Sequence, residues 1–112
     1  MAGVFDITTS TNGKHYFNLK AGNGQIILSS EMYESKSATE NGIESVKANA
    51  PNDGRYDRLT SKSGSPYFVL KASNGQVIGK SEMYNSVAAM ENGIEAVKTN
   101  APTAVIVDHT SA

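Results

Sequence analysis

The chain is one unit of sequence written twice, at a fixed period of 51 residues and without a gap. Asp6 recurs as Asp57, Tyr16-Phe17 as Tyr67-Phe68, and Leu19-Lys20-Ala21 as Leu70-Lys71-Ala72. Asn23-Gly24-Gln25 recurs as Asn74-Gly75-Gln76, Ser30-Glu31-Met32-Tyr33 as Ser81-Glu82-Met83-Tyr84, and Asn49-Ala50-Pro51 as Asn100-Ala101-Pro102. Roughly 60% of the aligned positions are identical, so any fold must accommodate the same unit twice. A unit of about 50 residues struggles to bury enough apolar surface alone, whereas about 110 residues bury close to two thirds of the unfolded surface. One domain over residues 1–112 is therefore expected, with repeats near 4–54 and 55–105 sharing a core.

Each unit reads as three strands and a helix. Asn-Gly at 23–24 and 74–75 predicts type I′ turns, because both residues tolerate positive φ. Pairing outward from the first turn puts Phe17, Leu19, Ala21, Ile26 and Leu28 on one apolar face. The other face carries Tyr16, Asn18, Lys20, Ile27 and Ser29, an alternation suited to a sheet buried mainly on one side. Ser35 and Ser86 are candidate N-caps, with Ser37 and Glu40 a rival capping box in the first unit. Thr39, Ile43, Val46 and Ala50 follow at helical spacing, as do Val87, Met90, Ile94, Val97 and Ala101. Pro51 and Pro102 stop each helix. One more strand precedes each hairpin, at Val4 to Thr9 and at Arg55 to Thr60.

Asp108 lies one period beyond Asp57, so the β-branched tail at about 104–109 reads as the first strand of an uncompleted third unit. The expected fold class is α+β: two tandem β3-α repeats plus a C-terminal strand. They would form a single antiparallel sheet with two helices on one face and a pseudo-twofold axis.

The doubled pattern YF.LKA.NGQ.I..SEMY.S....ENGIE.VK.NAP resembles the YegP-like family of small bacterial tandem-repeat proteins. The resemblance covers essentially the whole chain. It implies two β3-α-β motifs that build one sheet and exchange their C-terminal strands. The family is uncharacterised, so the resemblance brings no activity and no catalytic residues.

The net charge of −1 and the lack of any basic block argue against a large electrostatic footprint for nucleic acid or anionic lipid. With no cysteine there is no disulfide framework and no thiolate chemistry, which suits the cytoplasm. The first residues lack a basic stretch followed by an apolar run, so no secretory signal is expected. No apolar stretch approaches the roughly 20 residues that span a bilayer, so no membrane partner is expected. Two units in one chain can satisfy a dimer-like symmetry internally, and a monomer is expected.

The candidate sites have competing readings. Glu31, Tyr33, Glu82 and Tyr84 are either a paired site across the pseudo-twofold or a connection that plugs the sheet–helix edge, with Glu complementing the helix N-terminus. Tyr16, Tyr67, Lys20 and Lys71 are either solvated sheet or a platform for a peptide or for single-stranded nucleic acid. Gly42 and Gly93 cost about 1 kcal/mol each inside a helix, so something must approach closely, an element or a ligand. Asp6, Asp57 and Asp108 align and read as edge protection rather than acid–base machinery. Lys47 and Lys98 complement the helix C-termini. His15 and His109 have no repeat counterparts and read as surface residues, short of a metal site.

No phosphate-binding loop, dinucleotide fingerprint or nucleophile elbow is present, and no cofactor is expected. The reading of function is a small non-enzymatic binding or interaction module whose partner is unknown, with a protein or peptide among the candidates. Its alternatives are a single-stranded nucleic-acid binder through the open sheet face and a small enzyme at the pseudo-twofold.

Overall fold

The computed structural model describes residues 3–108. The strands are β1 (Val4–Thr9), β2 (His15–Lys20), β3 (Ile26–Ser29), β4 (Tyr56–Thr60), β5 (Pro66–Lys71), β6 (Val77–Lys80) and β7 (Val105–Asp108). The helices are α1 (Lys36–Asn49) and α2 (Val87–Asn100), each after the third strand of its repeat. All strands join one sheet in the order β4-β5-β6-β3-β2-β1-β7. Its middle is thin, since β3 and β6 meet through the single pair Ser29↔Lys80. Each helix packs on strands of both repeats, α1 against β2 and β6, and α2 against β5 and β3. Phe5, Phe17, Leu19, Leu28, Phe68 and Leu70 fill one core with Ile43, Val46, Ile94 and Val97 from the helices.

The helix ends follow the local chemistry. The Ser35 hydroxyl accepts from the Ala38 amide at 3.1 Å, and Ser86 from Ala89 at 3.0 Å, so Ser37 is not the cap. Both helices stop at the Asn before Ala-Pro.

The hairpin turns depart from type I′. Only the glycine has positive φ, +87° at Gly24 and +86° at Gly75, and Asn23 and Asn74 do not. Gly24 N–H donates to Ala21 C=O and Ala21 N–H to Gln25 C=O, a longer loop that needs one left-handed residue. Asn23 Oδ1 accepts from the Gln25 amide at 3.0 Å, which steadies the turn. The same loop recurs at Ser10–Lys14 and Ser61–Ser65 between the first two strands of each repeat.

This turn shifts the register. Leu19 pairs with Leu28 as expected, but Lys20 pairs with Ile26, leaving Ile27 as an extra residue. Ile27, and likewise Ile78, is buried in the helix-side core instead of lying on the open face.

The tail does extend the sheet, but not as an antiparallel strand. β7 runs parallel to β1, so the sheet is mixed and β7 is its edge. A helix crossover from β6 in the second half to the far side of the first half delivers it there, and parallel strands need such a long connection. His109 lies outside the described residues.

Candidate functional site

Ser30 and Ser81 interrupt the pairing of the hairpins, which resumes where Tyr33 meets His15 and Tyr84 meets Pro66. Each serine hydroxyl accepts from a strand amide, Phe17 at 2.9 Å and Phe68 at 3.0 Å, and donates to the next carbonyl, Glu31 or Glu82, at 2.8 Å. The chain then throws Glu31, Met32, Glu82 and Met83 into solvent and turns Tyr33 and Tyr84 inward. Tyr33 stacks on Phe17 with centroids 6.3 Å apart, and Tyr84 on Phe68 at the same distance. Each phenol lies across the glycine of its own helix: a Cβ at Gly42 would meet the Tyr33 hydroxyl, and one at Gly93 the Tyr84 hydroxyl. The helical glycines therefore make room for a tyrosine rather than for a second element. Each tyrosine ring stacks on the phenylalanine of its own repeat, and the two tyrosines share no ring contact among the described residues. Burial raises the pKa of both phenols, with Glu31 and Glu82 adding to it, so each hydroxyl remains a donor at neutral pH.

Tyr84 does line a cavity of about 330 Å³ where the hairpin of the first repeat meets α2 of the second. The polar residues of its lining are Asn23, Gln25, Asn92 and Tyr84. Ala21, Ile27, Ala89, Gly93 and Ala96 supply the apolar wall. No charged side chain is among the lining residues. Of the residues singled out as candidates, Tyr84 and Gly93 are here. The amides escaped notice because the hairpin tip and the helix are far apart in sequence. The one legible signal was Asn beside Gly in the middle of both helices.

The open sheet face is electrostatically closed on itself. Lys20 pairs with Asp6 at 2.6 Å and Lys71 with Asp57 at 2.5 Å. Lys80 sits over the Tyr67 ring, 5.3 Å from its centroid. Asp6 and Asp57 thus pair with the lysines of this face; Asp6 lies on an interior strand, whereas Asp57 lies on the edge strand β4. Asp108 meets Lys36 of α1. Tyr16 and Tyr67 are half-buried.

Lys98, unlike Lys47, joins a network. Asp53 accepts from Lys98 at 2.7 Å and from Arg58 at 3.1 Å, and Arg58 grips Glu91 with two hydrogen bonds. These contacts hold the carboxyls of Asp53 and Glu91 below the ordinary range. His15 is half-buried, and its Nδ1 has no hydrogen-bond partner among the described residues. Among the described residues no three His, Cys, Asp or Glu side chains are grouped to hold a metal ion, and no helix is long and apolar enough to cross a membrane.

The duplicated unit defines the class: residues 10–57 and 61–108, each running from a hairpin through its helix into the strand that follows, each match the domain of unknown function DUF1508. A UPF0339 protein of Bordetella pertussis is 54% identical over the full length of both chains. The solution structure of YegP from Escherichia coli superposes with a TM-score of 0.94 at 45% identity, covering 100% of this chain and 97% of that one. The solution structure of a UPF0339 protein from Shewanella oneidensis gives 0.90 at 49% identity, covering 96% and 92%. The chain belongs to the YegP-like UPF0339 family, whose members carry no assigned function.

Proposed function

We propose that this chain is a small, monomeric, non-enzymatic binding module of the bacterial cytoplasm. Its contact site is the groove between the first hairpin and α2. The observation that carries this reading is the cavity itself, lined by Asn23, Gln25, Asn92 and Tyr84 beside an apolar wall. Pockets of this size with a few convergent polar groups are the usual form of a small-molecule site. Its lining holds no carboxylate, histidine or lysine to move a proton, which favours binding over catalysis. The bacterial relatives and the absence of cysteine suit the compartment.

The nucleic-acid reading has less support, since Lys20 and Lys71 are already paired with Asp6 and Asp57. An amide NMR titration separates the two. The low-molecular-weight fraction of a bacterial extract is expected to shift Gln25, Asn92 and Gly93. Single-stranded DNA that instead shifts Tyr16, Lys20, Tyr67 and Lys71, with an effect fading in salt, would overturn the groove reading. So would an extract that moves no groove residue.

A further inference from the structure

The Asn and Gln residues that line the groove have no structural task that accounts for all of them. Asn23 steadies its turn through the Gln25 amide. Gln25 and Asn92 are exposed, and their side chains make no hydrogen bond among the described residues. Asn is a poor residue for the middle of a helix, and Asn92 sits beside a glycine that is poorer still. The glycine is explained by Tyr84, but the asparagine is not.

Both residues are nonetheless present in each repeat, as Gln25 and Gln76 and as Asn41 and Asn92. Nearby exposed positions have diverged: Glu34 has become Asn85, Lys36 Val87 and Ser37 Ala88. Every residue lining the cavity keeps its identity in the other repeat except Ala96, which corresponds to Ser45. The surroundings are repeated as well, because α1 packs on β6 as α2 packs on β3. Tyr33 crosses Gly42 as Tyr84 crosses Gly93.

Resting on the binding-module reading, we infer that the chain has two such sites related by the pseudo-twofold axis. Asn74, Gln76, Tyr33, Asn41, Gly42 and Ser45 form the second. Both take a small uncharged molecule with an amide-type edge, an N–H beside a C=O. A carboxamide offers a donor and an acceptor side by side, so it matches such an edge with two parallel hydrogen bonds. A charged ligand would lose its hydration in a groove that supplies no counter-charge. The Ser45 hydroxyl gives the second site one more polar group than the first.

The test is an amide NMR titration of the whole chain with three probes: uracil, N-acetylalaninamide and acetate. Either amide probe is expected to shift Gln25, Asn92 and Gly93 together with Gln76, Asn41 and Gly42, while acetate shifts neither set. Asn92→Ala should weaken the first site by about tenfold, the scale of a lost hydrogen-bonded group, and leave the second within about twofold. Asn41→Ala should do the reverse. Both are exposed helix positions where alanine favours folding. Shifts confined to one groove would overturn the second site yet leave the module reading intact. Equal or larger shifts with acetate, or no groove shifts with either amide probe, would overturn the ligand class. The module reading would then stand or fall on the extract titration alone.

Discussion

Leu28 and Gly79 occupy the same place in the two repeats, and the structure has room for only one of their side chains. A Cβ at Gly79 would stand 2.6 Å from Leu28 Cδ2, because the Leu28 side chain reaches across to Gly79 where β3 meets β6. Near a pseudo-twofold axis a large residue on one side must be answered by a small one on the other. Gly79→Leu should therefore destabilise by about 1–3 kcal/mol through overpacking. The exchange Leu28→Gly with Gly79→Leu should recover much of that loss; equal and additive losses in urea unfolding would refute the shared space. Gly93 obeys the same logic with a different neighbour. Gly93→Ala gains about 1 kcal/mol of helix propensity but drives a methyl group into the Tyr84 ring. A net loss is expected, and it should shrink in the background of Tyr84→Ala, giving a measurable coupling in a double-mutant cycle.

The outer strands of the two halves show how one element is adapted to two surroundings. β1 is interior, flanked by β2 and β7, and its Ile7 is fully buried. β4 is an edge, and Arg58 stands where β1 has Ile7. Arg58 reaches Glu91 and Asp53, placing charge along the open strand and tying it to α2. The pairing registers of the two halves are the same, so the Ile7 amide faces β7 and the Arg58 amide faces solvent. Hydrogen exchange should be slow at Ile7 and fast at Arg58. Comparable protection would mean that another strand covers β4.

The charge network also has a pH signature. The carboxyls of Asp53 and Glu91 have depressed folded-state pKa values, so their contribution exists above the unfolded-state pKa and is lost as pH falls through the folded-state value. Arg58→Ala should therefore flatten the fall in stability on acidification below the ordinary carboxylate range. These side chains are largely exposed, so the difference should be small and should disappear in high salt. β7 is the other edge of the sheet, and its Val105, Ile106 and Val107 are 57%, 42% and 38% exposed. Because it is an edge strand, removing residues 104–112 should lower the melting temperature without abolishing the helices. Complete loss of far-UV helix signal would assign the tail a larger role.

Across the whole molecule, neither repeat possesses a core of its own. Each helix spans strands from both units, and Phe17, Leu28, Phe68 and Ile94 belong to one buried cluster. Unfolding in urea should follow one transition, coincident by tyrosine fluorescence and far-UV circular dichroism. A chain ending at residue 54 should remain unfolded as a monomer. A broad or biphasic transition would indicate that the repeats unfold separately. The same interleaving makes the groove, since its hairpin and its helix come from different units.

The order of strands and helices, both helix caps and the extra tail strand were legible in the sequence. They depend on contacts a few residues apart or on the repeat itself: Ser35 to Ala38, Ser86 to Ala89, and Asp108 one period after Asp57. Periodicity also identified Phe17, Leu19, Ile43 and Val46 as core. What sequence could not decide was the identity of spatial neighbours. The Asn-Gly signal allows two turn geometries, and the longer one added a residue to β3 and turned Ile27 inward. The parallel seating of β7, the Leu28–Gly79 exclusion and the meeting of Asn23, Gln25, Tyr84 and Asn92 all depend on how the two halves dock. That docking is set by close packing of large side chains across the whole chain, and such packing leaves no local pattern to read.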